Sequence, residues 1–171
     1  MVADPDPDLP GDGRVVHGTF VQVRQLPARP DRVFAAFGDL TLRRRWFRIP
    51  GPADGAHHEL DFRVGGGELA RGTFAPSGVP ERIEYRSWFL DIVPHRRIVL
   101  CEELILDDVR RSLSLVTVEL QSDDPGTRLQ WTDQYALLAL TGDGGDDAAH
   151  RRGSIQLLLN GLQLHLTRSA E

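Results

Sequence analysis

The segment from Leu129 to Tyr135 places one carboxylate among large apolar side chains. Apolar and polar residues alternate there as in a half-buried β-strand, so Leu129, Trp131, Asp133 and Tyr135 share one face. Such a face is typical of the wall of a small-molecule site, in which Asp133 orients a polar group of the ligand. The alternative is plain core, with Asp133 near the rim and paired with an arginine. Burial distinguishes the two, because an unpaired carboxylate in the interior costs several kcal/mol.

Glu102 is the second residue with potential chemistry. Of the neighbours Glu102 and Glu103, only one can face the core, and the aliphatic residues at alternate positions favour Glu102. Glu102 and Asp133 on either side of an apolar hollow would suit the proton transfers of a cyclase or hydrolase. The alternative is a surface salt bridge to Arg128 or Arg111, which contributes little to stability.

Large rings elsewhere in the chain extend the predicted wall. Phe62 and Trp88 are expected near the mouth of the hollow, whereas Trp46 is expected to be a core residue. The complete set of predicted ligand contacts is Phe62, Trp88, Leu129, Trp131, Asp133, Tyr135, Ile155, Leu158 and Leu162.

One segment has the residue types of a metal site. On a strand, His57, Glu59 and Asp61 share a face and offer one imidazole and two carboxylates, while His58 points to the other face. The spacing matches no familiar zinc pattern, so an exposed polar strand face is the better interpretation. We therefore expect no metal and no cofactor.

Composition excludes several classes of function. All 20 basic residues are arginine, as is typical of a GC-rich bacterial genome, and without lysine there is no Schiff-base chemistry. The net charge of -5 argues against a nucleic-acid partner. No apolar run is long enough to span a membrane. The single cysteine, Cys101, cannot form an internal disulfide, and this predicts a cytoplasmic protein.

The order of predicted elements defines the fold class. A strand comes first, then two short helices, about six strands with short connections, and a long helix. This order predicts an α+β fold with an antiparallel sheet. Residues 1–13 are predicted to be a disordered tail, and residues 14–171 a single domain. The predicted strands span 19–26, 58–64, 68–75, 83–93, 97–106, 111–121 and 127–138, and the helices 31–37, 40–47 and 146–167.

The last helix has two apolar faces. Ile155, Leu158 and Leu162 lie on the main stripe, which continues through Leu159 and Leu166 and is predicted to face the sheet. Leu157 and Leu164 lie on the opposite side, which predicts cover by a loop or by a partner such as a second copy in a homodimer.

Four segments resemble a known family. They are LPARPDRVFAAF at 26–37, RWF at 45–47, DFRVGGG at 61–67 and GTRLQWT at 126–132. Together they resemble the SRPBCC superfamily, whose START-like members have the helix-grip fold, and within it the proteins related to the activator of the Hsp90 ATPase. The resemblance implies a curved sheet of six to seven strands wrapped around the C-terminal helix, with an apolar cavity between them.

The resemblance implies a function less specifically. We expect the domain to bind a small hydrophobic or amphipathic molecule in that cavity. The alternatives are a polyketide cyclase-like or hydrolase-like enzyme using Glu102 or Asp133, and a cochaperone-like interaction module. Many relatives carry Gly-Trp near the start of the last helix, whereas here Ser154 follows Gly153. Without that indole the shape of the cavity changes, so no relative's ligand can be assigned to this chain.

Overall fold

The computed structural model describes residues 13–49, 56–75 and 78–168, so most of the predicted tail lies outside the described residues. Seven strands and three helices follow one another in the predicted order. The strands are β1 (Val16–Leu26), β2 (His57–Leu60), β3 (Gly67–Phe74), β4 (Glu81–Val93), β5 (Arg97–Leu106), β6 (Val109–Asp123) and β7 (Gly126–Leu137). The helices are α1 (Pro30–Gly38), α2 (Leu40–Trp46) and α3 (Gly145–Arg168).

The strands form one antiparallel sheet in the order β1-β7-β6-β5-β4-β3-β2. The predicted α+β helix-grip fold is therefore confirmed. One predicted strand is too long, because β2 ends at Leu60 rather than at residue 64. The chain turns at Gly65, whose φ of +79° is a conformation that glycine adopts without strain. The turn is fixed by a hydrogen bond from the Asp61 amide to the Gly67 carbonyl at 2.8 Å.

The core lies between one face of the sheet and the three helices. On β4 to β7 the alternate residues Phe89, Ile98, Val116 and Trp131 are buried there, as the alternation of residue types predicts. The predicted stripe of α3 packs on this face, with Leu159 and Leu162 fully buried. Its other apolar residues behave differently: Leu157 is 72% exposed and Leu164 is 52% exposed. Of the two apolar faces of α3, therefore, only the one that meets the sheet is buried.

The two short helices close one side of the core. Pro30 lies in the first turn of α1, where a missing amide hydrogen costs nothing. Asp39 caps α2 by accepting a hydrogen bond from the Leu42 amide at 2.9 Å. Trp46 is a core residue, as predicted, and its indole N–H donates to the Ala36 carbonyl at 2.8 Å. This bond ties the end of α2 to α1.

Replacing Gly153 with alanine is expected to raise the free energy of unfolding by about 0.5–1 kcal/mol. Gly153 lies inside α3, and an added Cβ would have no atom within 4 Å. Gly161 is the matched control, because its Cβ would lie 3.2 Å from the Trp46 carbonyl oxygen. Gly161→Ala should therefore stabilise α3 less than Gly153→Ala in urea unfolding. An equal or larger gain at Gly161 would contradict the close approach of α2 and α3.

Candidate functional site

A row of polar side chains crosses the helix-facing side of the sheet on five adjacent strands. Glu68 of β3 is paired with Ser87 of β4, Ser87 with Glu102 of β5, Glu102 with Ser114 of β6, and Ser114 with Tyr135 of β7. Directly opposed side chains lie about 4.5–5.5 Å apart, so these five form one continuous line, which we call the polar row. All but Tyr135 are less than 7% exposed, so the row is shielded from bulk water.

Arg151 of α3 lies over the middle of the polar row. Its guanidinium bridges the two acidic residues predicted from the sequence: Nη2 is 2.5 Å from Glu102 Oε1 and 2.9 Å from Asp133 Oδ2. The Nε atom lies 3.3 Å from Asp133 Oδ1, and Nη1 lies 3.3 Å from Ser112 Oγ. Asp133 is fully buried, so it does not lie at the rim, and Arg151 is its counter-ion. The prediction that Arg128 or Arg111 pairs with these carboxylates is wrong, because their counter-ion is Arg151 of α3.

Glu102 is held in an environment that favours its neutral form. The Tyr85 hydroxyl donates to Glu102 Oε2 at 3.1 Å. Burial raises the pKa of Glu102, Arg151 opposes this and Asp133 reinforces it, so the pKa lies above its ordinary value. Burial and the Glu102 carboxylate also raise the pKa of Tyr85 well above its ordinary value, which keeps this phenol a donor. Glu103 faces the other side of the sheet, paired with Arg86 and Arg110.

A second arginine lies over the β3 end of the row. Arg43 of α2 is 4% exposed and binds Glu68 through both carboxylate oxygens, at 2.8 Å from Nε and 2.9 Å from Nη2. His58 Nε2 lies 2.7 Å from the same carboxylate. The guanidinium also stacks 4.4 Å from the Trp46 ring centre and 4.1 Å from that of Phe47. Burial acts to raise the pKa of Glu68, but Arg43 and His58 outweigh it, so the pKa is lowered.

Four buried polar groups around this site have no hydrogen-bond partner within the described residues. They are Arg43 Nη1, Ser87 Oγ, Ser114 Oγ and Trp131 Nε1. Ser87 lies close enough to Tyr85 to influence its pKa, yet no bond of ordinary geometry joins the two hydroxyls. Leaving a buried polar group unpartnered costs about 1–3 kcal/mol. All four atoms are closed to water in this structure, so a ligand atom would bond to them only after neighbouring side chains move.

The residues predicted for the wall on β7 face α3, and part of this layer is solid core. Leu129, Trp131 and Asp133 face α3 as predicted, and Leu129 and Leu162 expose none of their surface. A side chain without accessible surface borders no space large enough for a water molecule. Surface remains nearer the polar row, where Glu102 and Ser114 are each 6% exposed. Leu158 and Tyr135 are half-buried, and Ile155 is 8% exposed.

The two remaining predicted contacts lie elsewhere. Trp88 is on the opposite face of the sheet and 46% exposed, because its strand neighbours Ser87 and Phe89 are the inward residues. With Leu113 and Leu115 it lines an open groove of about 550 Å³ on that outer face, so its assignment to the helix-side wall is corrected. Phe62 is half-buried and packs edge-to-face on Phe89, with ring centres 5.0 Å apart.

Sequence reasoning found Glu102, Asp133 and Tyr135 but missed the residues that complete the site. These are Arg43, Glu68, Ser87, Ser114 and Arg151. One signal was available: Arg151 is four residues before Ile155 and thus continues the buried stripe of α3. An arginine at that spacing indicates a buried acidic partner. The row itself is set by strand register, which the sequence does not display.

Two of the three candidate metal ligands form a surface pair, and the third, Asp61, pairs with Arg63. His57 Nε2 lies 2.9 Å from Glu59 Oε1, and both side chains are largely exposed. In the part of the chain that the structure describes, no group of three or more suitable side chains could hold a metal ion. Over the same residues, no helix combines the length and apolar character that crossing a membrane requires.

A comparison with known protein families finds a match over most of the chain. Residues 27–166 match the family described as Activator of Hsp90 ATPase homolog 1-like protein. The chain belongs to this family. The match covers α1 to α3 and confirms the resemblance that the four sequence segments suggested. A comparison with curated proteins finds no match.

Several proteins of known structure are similar to this chain. A protein from Rhizobium loti is 41% identical with a TM-score of 0.76, over 90% of this chain and 99% of that one. One from Rhizobium leguminosarum is 34% identical with a TM-score of 0.77, over 91% of this chain and 97% of that one. A protein encoded in the dynemicin biosynthetic locus is 15% identical with a TM-score of 0.59, over 87% of this chain and 47% of that one. At this identity the likeness shows the fold alone.

Proposed function

We propose that this domain binds a small amphipathic molecule between the sheet and α3, with its polar group at the polar row. The observation that supports this is the pair of unpartnered, buried hydroxyls of Ser87 and Ser114 on either side of Glu102. Hydrophobic side chains of similar volume would stabilise an interior at least as well as buried ion pairs and unpartnered hydroxyls. Their presence is therefore better explained by recognition than by stability.

The apolar part of the molecule has a defined place in this proposal. It lies against Ile155, Leu158 and Tyr135, which keep the most exposed surface of the predicted contacts on β7 and α3. The centre of the predicted wall, at Leu129 and Leu162, is closed and serves as the floor of the site. The molecule enters past Tyr135 and Leu158, both half-buried at the side of α3.

Native mass spectrometry of the purified protein tests the proposal. We expect part of the protein to carry a small-molecule adduct that organic solvent releases, because small-molecule sites bury most of the surface of their ligand. Ile155→Phe, which fills the site, should remove the adduct. The matched control Leu157→Phe on the exposed side of the same helix should keep it.

Two controls make the result interpretable. Melting temperatures show whether Ile155→Phe is folded, and Ser114→Val blocks the polar end instead if it is not. An adduct of equal abundance in the blocked and control variants would contradict the site. So would identical native and denatured masses in every sample.

Catalysis by Glu102 is the second candidate, because burial places its pKa above the ordinary value and suits it to proton transfer. Incubating the released molecule with fresh protein tests this. A mass change that Glu102→Gln abolishes would favour an enzyme, and recovery of unchanged ligand would favour a binding protein. A cochaperone-like role and a homodimer through Leu157 and Leu164 stay predictions, as does the cytoplasmic location.

A further inference from the structure

We infer that the outer face of the sheet, opposite the helices, is the interface of a homodimer in which two copies of this chain pack sheet against sheet. The inference is independent of the proposed ligand site, which lies on the other face. It also concerns a different surface from the exposed leucines of α3. The apolar part of the outer face, which we call the outer patch, consists of Trp88, Val99, Cys101, Leu113 and Leu115.

The outer patch is contiguous across three neighbouring strands. Trp88 of β4 pairs with Cys101 of β5, and Cys101 pairs with Leu115 of β6. Leu113 lies two residues from Leu115 on the same strand and therefore on the same face. Trp88, Leu113 and Leu115 are between 37% and 46% exposed, although leucine and tryptophan are usually well buried. A contiguous exposed patch of large apolar side chains indicates an interaction surface.

The charges of this face suit an identical partner. A homodimer with a two-fold axis brings the same surface of both copies together, so an unpaired charge at its centre would meet a like charge. None of the five side chains of the outer patch is charged. Two carboxylates at its border already have partners: Glu103 Oε2 lies 2.6 Å from Arg110 Nε, and Asp91 Oδ2 lies 2.8 Å from Arg97 Nη2. A nucleic acid or a strongly charged protein would find no opposite charge on the patch, whereas a second copy needs none.

The size of the outer face also fits a second copy. β1 and β4 to β7 present about four outward side chains each, so the face offers about 20 residues, the number on one side of a standard interface. Face-to-face packing of two sheets, about 10 Å apart, is a common arrangement in proteins. A small ligand, by contrast, would cover only the groove that Trp88 lines on this face.

The groove is placed so that two copies can fill each other's. It runs from Trp88 on β4, across Leu115 on β6, to Thr19 on β1. β6 is the middle one of these five strands, so a two-fold axis along β6 places β4 of one copy over β1 of the other. Trp88 of each copy then enters the groove of the other beside Thr19, and the two Leu115 side chains meet near the axis. A tryptophan in a partner's pocket is a typical hot spot of an interface.

Sedimentation velocity of the full chain, from about 1 µM to about 100 µM, tests the inference. We expect a species of twice the chain mass of 19.1 kDa to dominate at the upper end. Leu115→Arg puts a charge near the two-fold axis and should raise the Kd of the dimer at least about thirty-fold, as expected for the loss of a central hot spot. The matched control Leu157→Arg, on the exposed side of α3, should leave the Kd unchanged. Melting temperatures show whether the variants fold, and Trp88→Ser replaces Leu115→Arg if that variant does not.

Tryptophan fluorescence reports on the outer face directly. Of the three tryptophans, Trp46 and Trp131 are buried and Trp88 is exposed, so quenching by acrylamide measures access to Trp88. We expect quenching to weaken as the concentration of the unmodified chain rises, and to stay strong throughout in Leu115→Arg.

Three outcomes would overturn the inference. A monomer at every concentration would leave the outer patch to a different partner or to a small ligand. A dimer that Leu157→Arg dissociates, with Trp88 equally quenched at all concentrations, would place the interface on α3. A dimer that resists both Leu115→Arg and Trp88→Ser would place it away from the outer patch. None of these results affects the proposed ligand site, which the adduct experiment tests separately.

Discussion

Replacing Arg151 with methionine is expected to lower the free energy of unfolding by about 3–5 kcal/mol at neutral pH. The change leaves Glu102 and Asp133 buried without their shared counter-ion, and it also removes the partner of the Ser112 hydroxyl. Removing one partner of a buried ion pair costs far more stability than replacing both partners with hydrophobic residues. Urea unfolding measures the loss, with Arg152→Met as control on the exposed side of the same turn. The control should lose no more than about 1 kcal/mol, the value of its contact with Phe20.

The loss should depend on pH in one direction. The pKa of Glu102 in the folded protein already lies above its ordinary value, so the stability linked to its proton is present in acid and lost as pH rises through that pKa. Without Arg151 the pKa rises further, because the opposing positive charge is gone. The deficit of Arg151→Met relative to the unmodified chain should therefore be largest near pH 8 and shrink towards about pH 5. A deficit independent of pH would show that lost packing, rather than stranded charge, is responsible.

The sequence allowed the faces of the strands to be predicted where residue types alternate cleanly. Trp131, Asp133 and Tyr135 on β7 were placed correctly, as was Glu102 rather than Glu103 on β5. Trp88 was assigned wrongly because it was chosen as a large ring and not from the alternation of β4, on which its neighbours Ser87 and Phe89 occupy the inner face. Alternation indicates which residues share a face, and the packing of other elements decides which face is buried.

The polar row was beyond sequence reasoning for a different reason. Its five residues come from five strands, and only the register of four strand pairs brings them into line. Glu68, Ser87 and Ser114 are unremarkable in their own segments, where each alternates with apolar or charged residues. Local pattern contains no information on which residue of one strand opposes which residue of the next.

The two buried arginines, Arg43 and Arg151, are held in the site in the same way. Each comes from a helix, reaches a carboxylate on the sheet and is largely buried, with Arg43 on α2 and Arg151 on α3. Ion pairs of this kind fix the helices at one position over the sheet, since a shift would strand a charge in the interior. They thereby hold Ser87 and Ser114 at a set distance from the helices, which a site for a small polar group requires.

Arg43→Met should lower the free energy of unfolding by a similar amount, about 3–5 kcal/mol, because Glu68 loses both hydrogen bonds from the guanidinium while 4% exposed. His58 remains the only partner of Glu68 among the described residues. Arg43→Lys keeps the charge but neither the two-point contact nor the planar stack on Trp46 and Phe47, so it should recover only part of the loss.

A second replacement separates charge from packing at this position. Combining Arg43→Met with Glu68→Gln removes the stranded carboxylate and should restore at least about 1–2 kcal/mol. Arg45→Met, at an exposed position of the same helix, should change stability by less than about 0.5 kcal/mol. If the double variant is no more stable than Arg43→Met alone, the guanidinium stabilises the fold through its stack on the rings and not as the counter-ion of Glu68. Equal losses at Arg43 and Arg45 would contradict the buried pair altogether.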